Sequence, residues 1–344
     1  AAMLYRAMRP FLFGLDPELA HRLSLASLDT LNRLGLSRLA AGAAPKLPVR
    51  VMGLEFPNPV GLAPGLDKNG EHIDALASLG FGFIEIGSVT PLPQPGNARP
   101  RLFRLPQAEA VINRMGFNNI GVDRVVENVR RSGYRGILGV NIGKNSDTPV
   151  ERAAEDYLVC LRKVYPVASF VTANVSSPNT KDLRSLQGEE ELDALLSVLL
   201  PERNALAKQE GRNVPLAVKI APDLDDEAIE SIADLLLAHR VDAVIATNTT
   251  TSRQGVTDLP RGRERGGLSG APLRAMSTAV IAKLSRALKG RLPIIGVGGI
   301  ASAADAREKL DAGATLVQLY TALLYRGPEL VGEIVRGLAA SEKK

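Results

Sequence analysis

The sequence predicts a single (β/α)8 barrel, with a two-helix extension before it and a small β-hairpin over its mouth, and three observations carry that expectation. From residue 59 onward, eight short apolar runs bounded by Gly, Pro or Asp recur along the chain. Helical patterns separate them, so strands and helices strictly alternate. Amide and cationic side chains collect where the runs end. Continuous apolar runs are the mark of strands buried on both faces, and eight βα units close as a barrel. A doubly wound sheet rarely needs eight such units and wants a Gly-x-Gly-x-x-Gly turn after its first strand, which is missing here.

The expected strands are 59–63, 82–87, 136–142, 169–175, 215–220, 242–247, 293–297 and 315–320. Helices are expected over 71–79, 119–132, 150–164, 189–209, 225–239, 272–288, 302–312 and 328–339. The long connection 88–118 contains Arg101 to Leu105 and Ala110 to Ile112, which read as a hairpin over the mouth. A second long connection, Thr250 to Gly270, carries Arg261, Arg263 and Arg265 and reads as a solvated charged loop.

Residues 1–45 precede every barrel unit and form their own segment, leaving 46–344 as the barrel domain. Leu4, Met8, Phe11 and Leu12 share one helical face; Asp16-Pro17 then starts a second helix carrying Leu19, Leu23, Ala26, Leu31 and Leu34. Such helices either dock as an ordinary cap or form an interfacial hairpin, with Arg6, Arg9, Arg22, Arg33 and Arg38 available for anionic headgroups. No stretch approaches the roughly 18 apolar residues that span a bilayer, and no signal-peptide pattern is evident, so the chain is expected to be neither exported nor transmembrane.

The chain has 344 residues, 45% hydrophobic and 23% charged, the profile of a globular protein with a large core. A single cysteine excludes internal disulfides, four-cysteine iron–sulfur ligation and cysteine-based zinc sites; Cys160 sits in a helical stretch and reads as core. Three histidines with no two at ligand spacing leave little material for a metal site or a Ser-His-Asp triad. The net charge of +5 suits an anionic ligand or membrane surface, but the basic residues are dispersed and Trp is absent, so nucleic acid is not an expected partner. Asp223, Asp225 and Asp226 look like a metal cluster but precede a helix, where capping explains them.

Barrel sites lie at the C-terminal ends of the strands. There Asn141, Asn174, Lys219 and the run Thr247, Asn248, Thr249 project polar groups from successive strands into one mouth. Gly296 to Gly299 after strand seven and Tyr320-Thr321 after strand eight sit where barrels bind phosphate. These residues are compatible with a sugar phosphate or a mononucleotide cofactor. Lys68 ends strand one as a cation at the mouth, and 113–119 pairs amides with backbone N–H groups, suiting a small polar anion.

The segments GLAPGLDKNG (61–70), EIGSVTPLPQPGN (85–97), NRMGFNN (113–119), NIGKN (141–145), NVSSPNT (174–180), KIAPDL (219–224), ATNTT (246–250), GGLSG (266–270) and GVGGI (296–300) together closely resemble dihydroorotate dehydrogenase of the membrane-associated, quinone-dependent class (class 2). The resemblance runs essentially end to end. It implies FMN held by Pro64, Gly65, Leu66, Asp67, Lys68, Ser88, Asn141, Asn174, Lys219, Thr247, Gly270, Gly299, Tyr320 and Thr321, with the phosphate near the last of these. It implies dihydroorotate held by Lys68, Asn113, Arg114, Met115, Gly116, Phe117, Asn174, Asn179, Asn248 and Thr249. Ser88 and Thr321 stand where other members carry Thr and Ser, and both keep the hydroxyl.

The implied chemistry takes a proton from C5 and a hydride from C6 of dihydroorotate, with FMN accepting the hydride, Ser177 as base and Thr180 or a water as the onward proton path. Lys219 is placed to stabilise charge on the reduced flavin. The family's soluble class carries Cys at the base position and lacks the N-terminal extension, so Ser177 and the leading helices point to a quinone acceptor, with His21, Arg104 and Tyr320 as linings of its site. The expected setting is the cytoplasmic side of the inner membrane, peripherally bound, as a monomer. The rivals are another FMN barrel acting on a different ring, a flavin-free sugar-phosphate barrel, and a non-enzymatic membrane scaffold.

Overall fold

A computed structural model describes residues 2–37 and 45–341, and also leaves the side chains of residues 2–4 undescribed. Leu4 as an apolar contact and Arg38 as a headgroup contact therefore lie outside what is described. Helices α1 (Ala2–Gly14) and α2 (Pro17–Arg33) open the chain; Asp16 caps α2 by accepting from the N–H groups of Glu18 and Leu19, with Pro17 at its first position. Strands β1 (Val49–Val51) and β2 (Leu54–Phe56) follow as a short antiparallel hairpin that the apolar pattern did not announce.

The barrel begins with β3 (Val60–Leu62), α3 (Ile73–Ala77) and β4 (Phe83–Val89). Over its mouth lie β5 (Leu102–Leu105) and β6 (Ala110–Asn113), and it continues through α4 (Val122–Arg131), β7 (Ile137–Ile142), α5 (Ala153–Val164), β8 (Phe170–Asn174), α6 (Glu189–Glu210), β9 (Leu216–Ile220), α7 (Asp226–Ala238) and β10 (Ala243–Ala246). After β11 (Gly267–Gly270) come α8 (Arg274–Leu288), β12 (Ile294–Val297), α9 (Ala303–Asp311), β13 (Leu316–Leu319), α10 (Thr321–Arg326) and α11 (Leu330–Ser341). Eight parallel strands close in the order β3-β4-β7-β8-β9-β10-β12-β13, seven within an expected apolar run and β4 running two residues past its own, so the barrel read from sequence is the barrel observed.

Aromatic rings fill the barrel interior. Phe83 meets Phe56 edge-on at 5.2 Å between centroids and Phe170 at 6.1 Å, so the unannounced hairpin β1–β2 supplies part of the bottom plug. Gly61 and Gly139 make room for these rings: a Cβ at either would lie 2.3 Å from Phe83 or 2.2 Å from Phe170. Outside the strands a continuous aliphatic layer joins barrel to helices and includes Cys160, which is fully buried as expected.

The second long connection differs from its reading as a solvated loop. Its last residues form β11, which pairs antiparallel with β6 and turns the expected hairpin into a three-stranded sheet. Val256 is buried beside Phe103, the Arg261 guanidinium lies 5.7 Å from the Phe103 ring, and Arg253 donates to the carbonyls of Glu264 and Gly266 at 2.7 Å. Among the described residues no group of His, Cys, Asp or Glu is placed to hold a metal, and the acidic trio is divided among other partners. Asp225 caps α7 through the N–H of Ala228 at 2.8 Å, whereas Asp223 pairs with Arg184 at 2.8 Å.

Candidate active site

One cavity of about 540 Å³ opens at the C-terminal ends of the strands, roofed by the sheet of β5, β6 and β11 and by α2. It gathers most of the residues singled out from sequence. Pro64, Gly65, Leu66, Asp67 and Lys68 come from the β3 end; Ser88 from β4; Asn174 and Ser177 from the β8 end; Lys219 from β9; and Thr247, Asn248 and Thr249 from the β10 end. Gly270, Gly299, Tyr320 and Thr321 line its opposite wall, and Asn113, Met115, Gly116, Phe117 and Asn179 its roof side.

Four candidates do not line it. Asn141 is fully buried one layer beneath, bonded to Ser88, Asn174 and Glu85. The Arg114 guanidinium points out to Glu264 at 2.8 Å and stacks 4.5 Å from the Phe103 ring. Arg104 donates to the carbonyls of Leu12 and Leu15, so it fastens the end of α1 and lies 4.8 Å from the Phe13 ring. Thr180 is buried, with an Oγ1 that has no partner among the described residues.

The remaining geometry is specific. Ser177 is 6% exposed, and its Oγ accepts the N–H of Asn179 at 3.2 Å, which fixes where the hydroxyl sits. Asn179 Nδ2 donates to the carbonyl oxygen and Oδ1 of Asn113 at 3.0 and 3.2 Å, tying the β8 turn to the roof. The Asp67 carboxylate accepts from the N–H groups of Asn69, Glu71 and His72, so its contribution is to shape the loop that presents Lys68. Burial, then the charge of Arg101, lowers the Lys68 ammonium to about 8. Burial also lowers Lys219, against the opposing pull of Glu85. At the far wall, Gly298 and Gly299 take positive φ, and Thr321 Oγ1 donates to Ser269 Oγ at 2.8 Å, giving a turn of bare N–H groups and hydroxyls suited to a phosphate.

The N-terminal helices are fastened to this roof. Arg101, which the sequence reading overlooked, is 5% exposed and grips Glu18 of α2 through two hydrogen bonds of 2.9 and 3.1 Å while also donating to the Pro95 and Asn97 carbonyls. Asp29 of α2 meets His72 at 2.7 Å. Tyr5 donates to the Leu324 carbonyl at 2.6 Å and Arg9 to that of Tyr325 at 3.0 Å, so Arg9 serves the barrel rather than a headgroup. His21 lines the cavity, and burial followed by the charges of Lys68 and His72 pushes its imidazole down to about 4.

These titrations give a pH expectation. A histidine whose folded value is depressed is held neutral, so its contribution is full above the ordinary 6.5 and is lost as pH falls toward 4. Burial raises the Glu18 carboxyl, but the hydrogen bonds and charge of Arg101, with Arg99, outweigh it; that lowered group contributes above 4.5 and fails below. Amide exchange protection in Pro17–Arg33 should therefore fall between pH 6.5 and 4 while the barrel strands stay protected. Protection of α2 that is flat across that interval would contradict the assignment.

Residues 46–341 match the family model described as dihydroorotate dehydrogenase. The chain belongs to the dihydroorotate dehydrogenase family. Proteins named dihydroorotate dehydrogenase (quinone) from Nitrosomonas europaea and Chromobacterium violaceum are 63% and 64% identical to it, each over 97% or more of both chains. The crystal structure of a DHODH from Eimeria tenella in complex with ferulenol superposes with a TM-score of 0.86 at 36% identity, covering 96% of this chain and 94% of that one. The family resemblance read from the nine segments therefore holds, as does the barrel. Dihydroorotate dehydrogenases are in general flavin-dependent, and the donor set fits: the buried Lys219 amine has no hydrogen-bonded partner among the described residues, and Gln318, on the cavity wall, has a buried Oε1 with none. Sequence reasoning missed Arg101, Glu18 and Gln318; for Arg101 the available signal was a second arginine three residues before Arg104 in the same hairpin.

Proposed function

We propose that this cavity holds FMN and dihydroorotate against adjoining walls, with Ser177 as the base. The chain oxidises dihydroorotate to orotate in pyrimidine biosynthesis and passes the electrons to a quinone. The observation that carries the site reading is the convergence of Ser177, Lys68, Asn113, Asn174, Asn179 and Lys219 from separate elements on one cavity.

Gly298, Gly299, Tyr320 and Thr321 would hold the phosphate, and Lys219 would present its amine to the flavin's polar edge. When bound, the flavin supplies the hydride acceptor. Lys68 pairs with the substrate carboxylate, and its lowered value lies still above neutral, so it remains cationic. The amides of Asn113, Asn179 and Asn248 hold the pyrimidine edge, matching its alternating donors and acceptors. Ser177 Oγ takes the C5 proton while releasing its own through Thr180 or a water, which hands a proton on to solvent; the buried Thr180 hydroxyl has no hydrogen-bond partner among the described residues. Asn141 and Arg114 act from behind, the first by orienting Ser88 and Asn174, the second by bracing the roof.

Quinone-dependent members are membrane-associated, and no described helix is long and apolar enough to cross a bilayer. Residues 1–45 serve as the membrane and quinone extension of a catalytic domain at 46–344. Of the large hydrophobic residues exposed among the described ones, Met8, Phe11, Leu19, Leu23, Leu31, Leu34 and Leu36 all fall on this extension, with Phe11 71% exposed. Arg6, Arg22 and Arg33 are exposed beside them for anionic headgroups on the cytoplasmic side of the inner membrane. The quinone reaches the flavin between α1 and α2, past His21 and Tyr320, while Arg104 holds the helix turn in place. The proposed oligomeric state is a monomer.

Dihydroorotate with a soluble benzoquinone should yield orotate, read by its ultraviolet absorbance, and protein released from anionic vesicles by Phe11→Asp should retain that activity. No orotate would overturn the substrate reading, and unaltered vesicle binding would overturn the membrane face.

A further inference from the structure

The reaction as described leaves one buried charge without a task. Glu85, on β4, is fully buried inside the barrel. Its Oε1 accepts from Asn141 Nδ2 at 2.8 Å and its Oε2 from Gln318 Nε2. An ionised carboxylate can only accept, so both amides must turn their NH2 groups toward it. This matters because the two ends of an amide are nearly the same in shape, and only the network decides which way each one points.

The consequence propagates toward the mouth. With its NH2 committed to Glu85, Asn141 turns Oδ1 to the next layer, where it accepts from Ser88 Oγ and from Asn174 Nδ2 at 3.1 Å. Asn174 also donates to Ser88 Oγ at 3.0 Å, so its NH2 is used up and its Oδ1 faces the other way. That oxygen accepts from the N–H and Oγ of Ser176 at 3.2 and 2.9 Å and from Asn248 Nδ2 at 3.4 Å. Asn248, its NH2 held there and on Ser176 Oγ at 3.0 Å, presents Oδ1 to the N–H of Thr249 at 2.8 Å. Every donor in the series points back along the chain toward the carboxylate. Gln318 is fixed likewise: its NH2 is spent on Glu85, which leaves Oε1 as a bare acceptor on a cavity-lining residue.

We propose that Glu85 is a positioning residue whose carboxylate sets the polarity of the Asn141–Asn174–Asn248 amide chain, and with it which hydrogen-bonding groups face the pyrimidine ring. The inference rests on the reading of this cavity as the dihydroorotate site. Lys219, from β9 across the barrel, is the cation whose charge interacts with Glu85, so the carboxylate is compensated where it lies. Reversing Asn141 would set its carbonyl against a carboxylate and oblige Asn174 and Asn248 to reverse in turn; the buried network therefore has one favoured direction.

The test compares holoenzyme variants by titrating the product orotate and following the flavin absorbance, an equilibrium readout without turnover. Glu85→Gln keeps the shape but must direct an NH2 at Asn141 or Gln318, and is expected to weaken orotate binding at least tenfold, raising KM for dihydroorotate more than it lowers kcat. The double variant Glu85→Gln/Asn141→Asp moves the acceptor-only group one step along the chain and restores the original direction beyond it. It should recover most of the lost affinity, a result that a carboxylate serving only to support the barrel would not give. Wild-type orotate affinity in Glu85→Gln, or a double variant no tighter than the single one, would overturn the proposal. Should Glu85→Gln alone fail to fold or to retain flavin, the double variant still decides, since recovery supports the proposal and continued failure overturns it. Absence of orotate binding by the wild-type protein would instead remove the substrate reading, so the two failures are distinguishable.

Discussion

Ser177→Ala is expected to retain flavin and bind orotate nearly as the wild type does, yet to be reduced by dihydroorotate about 10²- to 10⁴-fold more slowly, the usual range for removing a positioned base. The geometry isolates the effect: Ser177 Oγ makes one hydrogen bond, accepted from the N–H of Asn179, and deleting it disturbs neither the Asn179–Asn113 tie nor the Asn174 network. Because the loss lies in the proton step, raising the pH should not restore the rate. Stopped-flow reduction at several pH values checks this, and a variant reduced at the wild-type rate would remove Ser177 from the mechanism.

The second large effect is expected at Gly299. Its φ of +70° lies in the left-handed region, and a Cβ there would stand 2.5 Å from Arg274 Cβ and 2.6 Å from the Arg274 backbone nitrogen. That contact is with the first residue of α8 and cannot be relieved by rotating a side chain. Gly299→Ala must therefore push α8 away from the turn that follows β12, at a cost of about 2–4 kcal/mol for strain and overpacking together. Since that turn is the phosphate wall, the variant is expected to purify with less than about a tenth of the wild-type flavin and a lowered melting temperature. Full flavin content with unchanged melting would show that neither the turn nor the phosphate assignment is as tight as described.

The barrel was legible because its parallel strands are covered on both faces, so their apolar runs are uninterrupted and easily counted. Strands β1 and β2 escaped because a charged residue, Arg50 or Glu55, interrupts each short run, and β11 because Gly267-Leu268-Ser269-Gly270 has no apolar pattern and pairs with a strand more than 150 residues away. For the site, strand-end position located the rim but not the depth. Asn141 was read as a mouth residue because an amide near the end of an apolar run resembles Asn174, but its side chain lies below Ser88 and Asn174. The resemblance implies Arg114 in the substrate site and Arg104 in the quinone site, while their guanidiniums follow nearby partners, Glu264 for one and the Leu12 carbonyl of α1 for the other. Glu85 carried a signal that went unused: a carboxylate inside the run Gly82 to Gly87 is out of place unless something buried needs it.

In the proposed mechanism one cavity joins dihydroorotate oxidation to quinone reduction through a bound flavin. Anaerobic mixing with dihydroorotate should bleach the flavin absorbance, and a quinone analogue added afterwards should restore it, with orotate formed in equal amount to the flavin reduced. No bleaching would contradict the account at its core, while bleaching without recovery on quinone addition would contradict the path past α1 and α2.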